Sequence, residues 1–248
     1  MHRFYLAPDQ WRSEPLALTG SEAHHCRNVL RLDCGDKLVV FDGAGRQLTA
    51  EISGMSGGEV SLRKLHEARV EPLRCQITLA QAIPKGKNMD LIVQKAVEIG
   101  AAEIAPILSD RTVVRLDDES AASKQEKWQT VAIEAAKQCG QDWLPRVHVP
   151  QSMAEFFKQN RRFDLQLIGS LQSDALHLKK ILAEYSAEHG DRPRSVLMVV
   201  GPEGDFTPAE LSLARSHGCR PITLGPIVLR VETASIYCLS VLSYELLV

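Results

Sequence analysis

Two segments of the chain combine glycine, proline and acidic residues in a pattern that could hold a small ligand. VVGPEGDFTPAEL (199–211) contains Glu203 and Asp205, and TLGPIVLRVETASIY (223–237) contains Arg230 and Glu232. Neither segment has the Gly-x-x-x-x-Gly-Lys-Ser/Thr or Gly-x-Gly-x-x-Gly pattern of phosphate and dinucleotide sites. Their carboxylates would repel a phosphate, so a neutral or cationic adenine-type ligand fits better. A tight turn that binds nothing is the alternative for either segment taken alone.

Each segment is predicted to connect a strand to a helix. Thr207 as N-cap, Pro208 at the first helical position and Glu210 two residues later form a capping box that fixes one helix start. The second segment opens the C-terminal helix TASIYCLSVLSYELL, for which we predict a core face of Ile236, Leu239, Val241 and Leu242. Ligands of open α/β sheets bind at the carboxyl ends of strands. We therefore expect the two loops to wall one pocket.

The pattern of apolar residues divides the chain near Glu71–Pro72. In residues 1–72, short strand-like runs are broken by glycine turns, and one helix follows a possible Thr19–Glu22 capping box, which predicts a small β-barrel domain. In residues 73–248, strands alternate with helices, which predicts an α/β domain with a mostly parallel sheet. The predicted strands there are QITLAQAI, EIAPIL, RVHV, LQLIG, VLMVV and PITL; helices include KNMDLIVQKAVEIG, a long one ending at Gly140, one after Ser152, and ALHLKKILAEY. Residues 186–194 are predicted to form a mobile loop.

Composition excludes several classes of protein. The 248 residues carry a net charge of −2, which argues against a simple electrostatic binder of nucleic acid but allows a locally basic surface. No apolar run has the length of a membrane span and no signal peptide is recognisable, so a cytoplasmic protein with six reduced, mostly buried cysteines is expected. His24, His25 and Cys26 are adjacent on a helix and point in different directions, so no metal site is predicted.

The two glycine segments resemble the paired signatures of SPOUT-class methyltransferases. The whole chain resembles the ribosomal RNA small subunit uridine N3-methyltransferase (RsmE) family, through MHRFYL, HHCRNVLRL, VVFDGAG, KGKNMDLIVQKAVEIGAAEIAPILSDRTV and EAAKQCG. The chain departs from the family pattern at Asp205, where a second glycine is usual, and at Gln141, where many members have arginine.

The resemblance implies a PUA-like RNA-binding β-barrel (1–72) and a SPOUT methyltransferase domain (73–248) with a trefoil knot. It implies a cytoplasmic homodimer that needs no metal and no membrane. S-adenosylmethionine is expected in three loops of the knot, and its sulfonium charge agrees with the acidic glycine segments. The implied cofactor-binding residues are Gly169, Val200, Gly201, Pro202, Glu203, Gly204, Leu224, Gly225, Ile227, Leu229, Thr233 and Ala234.

The implied reaction is methylation of N3 of a specific uridine in small-subunit (16S) ribosomal RNA, free or in its assembled particle. The N3 proton must leave, so Arg230 could stabilise charge on the uracil oxygens and Glu232 could take the proton or bind the cofactor. A structural ion pair between Arg230 and Glu232 is the alternative. The candidate RNA-binding residues are Arg3, Arg27, Arg31, Lys85 and Lys87, for which ordinary surface charge is the alternative.

Two other functions stay open. The first is a non-catalytic RNA-binding or ribosome-assembly factor of the same fold. The second is a different nucleotide-dependent α/β enzyme, which the missing phosphate loop disfavours. Binding of S-adenosylmethionine would separate the methyltransferase from both, and methyl transfer to ribosomal RNA would decide between it and the assembly factor.

Overall fold

The computed structural model describes residues 1–12, 16–113 and 116–247 and divides the chain into two compact units. The first unit comprises Met1–Pro72 and Ile133–Leu144, and the second comprises Leu73–Ala132 and Pro145–Val248. The sequence assigns residues 133–144 to the second domain, whereas in the structure they pack within the first unit.

The first unit is built on a five-stranded sheet. Its strands are β1 (Arg3–Tyr5), β2 (Leu16–Leu18), β3 (Lys37–Phe41), β4 (Arg46–Ser56) and β5 (Glu59–Arg69), in the order β1-β3-β4-β5-β2. The β4–β5 hairpin turns at Gly57 and Gly58, which both have positive φ, as the sequence predicts. Helix α1 (Gly20–His24) continues as a π-helix over His25–Val29 and contributes Ala23 and Cys26 to the buried core.

The predicted Thr19–Glu22 capping box is wrong. Thr19 is the N-cap of α1, but its side chain makes no capping hydrogen bond. Glu22 instead accepts a hydrogen bond from Lys137 at 2.9 Å, and the Lys137 side chain is only 7% exposed. Burial raises the pKa of Glu22 above its ordinary value, while the Lys137 ammonium opposes that rise. Glu22 Oε1 is committed to this partly buried ion pair, and its buried Oε2 has no hydrogen-bond partner among the described residues, so neither oxygen caps the helix.

Residues 133–144 are held in the first unit by polar and ring contacts. Arg3 forms an ion pair with Asp142, and the indole N–H of Trp143 donates to the Val70 carbonyl at 2.8 Å. The Trp143 ring lies so close to Gly45 that a Cβ there would be 2.7 Å from it, and Gly45 has a φ of +85°. Glycine at position 45 is therefore required by both contact and conformation.

The second unit contains an eight-stranded sheet in which every pairing is parallel, which confirms the predicted parallel sheet. The strands are β6 (Gln76–Ala82), β7 (Glu103–Leu108), β8 (Arg146–Val147), β9 (Gln151–Ser152), β10 (Leu165–Gly169), β11 (Leu176–His177), β12 (Ser195–Val200) and β13 (Arg220–Thr223). Their order in the sheet is β11-β13-β10-β12-β6-β7-β8, and β9 pairs with β7. β6 and β12 are almost continuously buried, as strands covered on both faces must be.

The helices that follow these strands are α2 (Asn88–Glu98), α3 (Asp118–Cys139), α4 (Met153–Lys158), α5 (Leu178–His189), α6 (Pro208–Ser216) and α7 (Val231–Leu246). The part of α3 from Ile133 onward belongs to the first unit. The capping boxes at Ser152 and Thr207 are confirmed. α5 starts later than predicted because Leu176–His177 pair with β13, and it includes residues 186–189 of the predicted mobile loop.

Helix α7 begins two residues earlier than predicted, with Arg230 as its N-cap. Leu239 and Leu242 are buried as expected, but Ile236 and Val241 are only half-buried. The other buried residues of the helix are Val231, Ala234, Ser235, Cys238 and Leu246. Within the residues that the structure describes, no helix combines the length and apolar character needed to cross a bilayer.

Candidate active site

A cavity of about 730 Å³ lies in the second unit where three neighbouring strands end. β10, β12 and β13 are adjacent and parallel, so Gly169, Val200 and Thr223 bring their following loops to one edge of the sheet. Ten of the twelve residues expected to bind a cofactor line it: Gly169, Val200, Gly201, Pro202, Glu203, Leu224, Gly225, Ile227, Leu229 and Ala234. Gly204 and Thr233 are outside the lining, whereas Arg230 and Glu232 are part of it.

The first glycine loop makes a tight turn between β12 and α6. The Asp205 N–H donates to the Pro202 carbonyl at 3.0 Å, and Asp205 has a φ of +60°. Its Oδ1 accepts from the Phe206 N–H at 2.8 Å, which is the local side-chain bond that lets aspartate adopt this left-handed conformation. The backbone explains why a glycine is usual at this position and why aspartate can replace it.

This turn is held from outside by the loop that follows β7. The Arg111 guanidinium donates to the Gly204 carbonyl, and the Asp110 N–H donates to Glu210 at 2.9 Å. Glu210 is 6% exposed and also completes the capping box with Thr207. The sequence predicts the capping box but not its connection to residues 110 and 111.

Glu203 and Glu232, one acid from each glycine loop, accept hydrogen bonds from the turn after β6 and from the first residue of α2. Glu203 is exposed, and its Oε1 accepts from the Lys85 backbone N–H at 2.9 Å. Glu232 is half-buried in the first turn of α7, and its Oε2 accepts from Asn88 Nδ2 at 3.2 Å. Asn88 also lines the cavity and is not among the residues predicted from the sequence. Its place in the segment that follows the carboxyl end of β6 is the sequence feature that indicates a ligand-binding position.

Arg230 lies at the cavity with an uncommitted guanidinium. It is exposed, and its carbonyl accepts from the Ala234 N–H at 2.8 Å as the N-cap of α7. With residues 1–12, 16–113 and 116–247 considered, its side chain makes no hydrogen bond or ion pair, and the alternative ion pair with Glu232 does not form. The guanidinium can therefore interact with a ligand.

The cavity lining combines charge and apolar surface in a way that suits a cationic ligand with a planar ring. Its ionisable members are the carboxylates of Glu203, Asp205 and Glu232 and the single guanidinium of Arg230, so carboxylates are in excess. Leu171, Ile227 and Val228, all more than 60% exposed, are apolar side chains that a ring could contact.

The candidate RNA-binding residues fall into two groups. Lys85 and Lys87 are exposed on the turn before α2, and Arg27 and Arg31 are exposed on the first unit. Arg3 differs, because it pairs with Asp142, lies over the Phe41 ring at 5.0 Å, and has a side chain only 15% exposed. Arg3 thus makes an internal contact of the first unit, and its expected contact with RNA stays a prediction.

The segment His24–Cys26 does not bring its side chains together. His24 is exposed. The rings of His25 and Phe4 lie edge to face, with 6.1 Å between their centroids. Burial raises the pKa of the Cys26 thiol to about 11. Across the part of the chain that the structure describes, no three His, Cys, Asp or Glu side chains are grouped so that they could hold a metal ion.

Comparison with known proteins identifies the family of the chain. The RNA methyltransferase domain model matches residues 71–243, and the RNA methyltransferase PUA domain model matches residues 18–65. Ribosomal RNA small subunit methyltransferase E of Bacillus subtilis is 32% identical over 99% of this chain and 97% of its own length. The chain belongs to the ribosomal RNA small subunit methyltransferase E family.

Solved structures support the same assignment. A putative methyltransferase from Legionella pneumophila, in complex with the cofactor SAM, has a TM-score of 0.86 and 32% identity, covering 98% of this chain and 97% of its own. Ribosomal RNA small subunit methyltransferase E from Neisseria gonorrhoeae, bound to S-adenosyl methionine, has a TM-score of 0.85 and 30% identity, covering 99% and 98%. The predicted combination of an α/β domain with a PUA-like domain is confirmed.

Proposed function

We propose that this protein transfers a methyl group from S-adenosylmethionine to N3 of a specific uridine in small-subunit (16S) ribosomal RNA. The observation that carries the proposal is the cavity at the ends of β10, β12 and β13. Both glycine loops line this cavity, and its lining includes the half-buried Glu232 and Arg230, which has no side-chain partner among the described residues. Family membership and the two cofactor-bound structural neighbours supply the cofactor and the class of substrate.

The cavity fits the cofactor in size and charge. A volume of about 730 Å³ is in the range of small-molecule sites, and the excess of carboxylates favours a sulfonium cation. S-adenosylmethionine, when bound, supplies an electrophilic methyl group. The chain contributes backbone groups of Val200–Pro202 and Leu224–Gly225, apolar contacts from Ile227, Leu229 and Ala234, and the negative charge of Glu203. Gly204 and Thr233 act from outside the lining by shaping their loops.

Arg230 and Glu232 act on different atoms of the uracil. Glu232 accepts the N3 proton, so that the N3 electron pair becomes available to form the N–C bond as the C–S bond breaks. Arg230 donates to a uracil oxygen as negative charge develops there. Because Arg230 is not committed to another side chain in the described part of the protein, this interaction requires no ion pair to break first.

The RNA contacts are proposed on both units. Lys85 and Lys87 lie on the turn before α2. The Lys85 backbone N–H binds Glu203, and Asn88, the first residue of α2, binds Glu232, so a phosphate bound by the two lysines is close to the reaction. Arg27 and Arg31 supply contacts on the PUA-like unit, with roles that are mainly electrostatic. The proposed division is thus a PUA-like RNA-binding domain of residues 1–72, extended by residues 133–144, and a SPOUT domain of the remaining residues.

A homodimer in the cytoplasm is the proposed assembly. Thr233, Tyr237, Ser240 and Tyr244 recur every three or four residues on α7 and are exposed, Tyr237 by 48% and Tyr244 by 75%. α2 packs against α7 and exposes Leu91 by 40%. Exposed large side chains such as Tyr237, Tyr244 and Leu91 on neighbouring helices are typical of an interface. Light scattering should give a dimer for the wild type and a monomer for Tyr244→Glu; a monomeric wild type would contradict the proposal.

The proposed SPOUT domain includes a trefoil knot formed by the cofactor loops. The support is membership of the family together with the convergence of the loops after β10, β12 and β13 on one cavity. A crystal structure would test it through the path of the chain. If the backbone in that crystal structure forms no knot, this part of the proposal is wrong.

The function is tested with purified protein, S-adenosylmethionine and small-subunit particles or RNA from a strain lacking the gene. Nucleoside mass spectrometry should detect 3-methyluridine at one position, and Glu232→Gln should abolish most of it. Methylation at another uracil atom would overturn the N3 assignment. Binding of S-adenosylmethionine without any methyl transfer to either substrate would favour the non-catalytic assembly factor.

A further inference from the structure

Asn88 connects the start of α2 to the proposed proton acceptor. It is the first residue of the helix, after Lys87 as N-cap, and its Nδ2 donates to Glu232 Oε2 at 3.2 Å. The two residues are 144 positions apart in the sequence, and both line the cavity. The contact lies where α2 packs on α7, the helix whose first turn carries Glu232.

This hydrogen bond commits one oxygen of the carboxylate and leaves the other available. Glu232 Oε1 has no hydrogen-bond partner in the described ranges 1–12, 16–113 and 116–247. A glutamate side chain that is free to rotate loses conformational entropy when it is fixed. A donor that fixes it before the substrate arrives removes part of that cost from the reaction.

We propose that Asn88 is a positioning residue for the methyl transfer, which holds Glu232 through Oε2 so that Oε1 receives the uracil proton. The proposal rests on the proposed function, because it assigns Asn88 a role only through Glu232. Asn88 donates to the carboxylate and takes no proton itself.

A purely structural role for Asn88 predicts a different response to mutation. Aspartate has nearly the same shape as asparagine, and a negative charge in the first turn of a helix is stabilising. If Asn88 only starts α2, then Asn88→Asp should be milder than Asn88→Ala. If Asn88 holds Glu232, aspartate should be worse than alanine, because it replaces a donor with a second carboxylate.

The experiment compares Asn88→Asp and Asn88→Ala with the control Gln94→Ala, an exposed side chain on the same helix. We expect kcat to fall about tenfold or more in Asn88→Ala, the usual scale for losing a hydrogen bond to a charged group. Asn88→Asp should fall further while its melting temperature equals or exceeds that of Asn88→Ala. The KM for S-adenosylmethionine should change less than twofold, and Gln94→Ala should behave as wild type. A milder effect of aspartate than of alanine would overturn the proposal.

A double-mutant cycle with Glu232→Gln separates this proposal from the proposed function. If Asn88 acts through Glu232, Asn88→Ala should cause no further loss of kcat in the Glu232→Gln background. An equal loss in both backgrounds rejects the positioning role while leaving the methyltransferase activity established. NMR of the cofactor-free protein gives a readout without activity: the Asn88 side-chain amide protons should shift on Glu232→Gln and not on Glu203→Gln. Unchanged Asn88 signals in Glu232→Gln would also reject it.

Discussion

The backbone N–H of Lys85 donates to the Glu203 carboxylate at 2.9 Å, which ties the turn after β6 to the first glycine loop. Glu203 therefore serves two purposes, as an anion at the cavity and as the acceptor that holds a neighbouring turn. The sequence predicts only the first of these. Lys85 contributes to this contact through its backbone, so its ammonium group remains exposed for other interactions.

Substitutions of Glu203 should separate its two roles. Glu203→Gln removes the negative charge but keeps an oxygen that can accept from Lys85, whereas Glu203→Ala removes both. We expect calorimetry with S-adenosylmethionine to show several-fold weaker binding for Gln, because the sulfonium loses a nearby negative charge, and a larger loss for Ala, since a hydrogen bond from a backbone amide is also lost. RNA affinity should hardly change for Gln. Equal affinity of all three proteins would show that Glu203 does not contribute to the cofactor site.

Arg230→Ala should reduce turnover with little effect on folding. The side chain is exposed and has no partner among the described residues, so its removal leaves no buried group unpaired. If Arg230 stabilises developing charge on the uracil, kcat should fall about a hundredfold or more while RNA affinity falls much less. Single-turnover methylation with saturating cofactor measures this. A normal rate would assign Arg230 to helix capping alone.

Stability should depend on which residue stands at position 205. Asp205 has a φ of +60°, a conformation that costs residues other than glycine roughly 1–2 kcal/mol unless a local side-chain bond compensates. We expect Asp205→Gly to change the free energy of unfolding by only a few tenths of a kcal/mol and Asp205→Ala to lower it by about 1 kcal/mol. Urea denaturation measures both. Equal stability of the alanine and glycine variants would contradict the backbone argument.

Thiol reactivity should follow burial. Cys34 and Cys139 are exposed, whereas Cys26, Cys75, Cys219 and Cys238 are buried. Burial raises the pKa of Cys75, Cys219 and Cys238 to about 12, so these groups remain thiols at neutral pH. A disulfide reagent at pH 8 should modify two thiols quickly and the other four only in denaturant. Cys34→Ser and Cys139→Ser should each remove one equivalent from the fast phase, and a third fast thiol would contradict the burial of the core.

Arg3 and Arg31 should respond differently to mutation. Arg31→Glu should weaken RNA binding and reduce its salt dependence, because fewer counterions are released, and should leave stability nearly unchanged. Arg3→Ala should instead lower the free energy of unfolding by about 2 kcal/mol, since it leaves Asp142 without its charged donor. Filter binding at several salt concentrations and urea denaturation distinguish the two. The reverse pattern would assign the RNA contact to Arg3 rather than to Arg31.

Local signals account for what could be predicted along the chain. Thr207, Pro208 and Glu210 specify the start of α6 within four residues, and the same holds for Ser152 and Glu155 at α4. Continuous apolar runs predicted the buried parallel strands, and glycine pairs predicted the β4–β5 turn. These predictions succeeded because each depends on contacts between residues a few positions apart.

The sequence by itself thus determined most of the strands and helices of the second domain, the two glycine loops at strand ends and, through its resemblance, the family, but not the short strands β9 and β11. The tertiary structure decided which polar groups are free and which are used. It placed Glu22 on Lys137, Arg3 on Asp142 and Glu232 on Asn88, pairs separated by 115, 139 and 144 positions. Neither hydrophobic periodicity nor a capping motif extends over such distances. Pairing at this range is set by how folding brings remote helices, strands and loops together, so only the folded chain shows that Arg230 is left available beside Glu232.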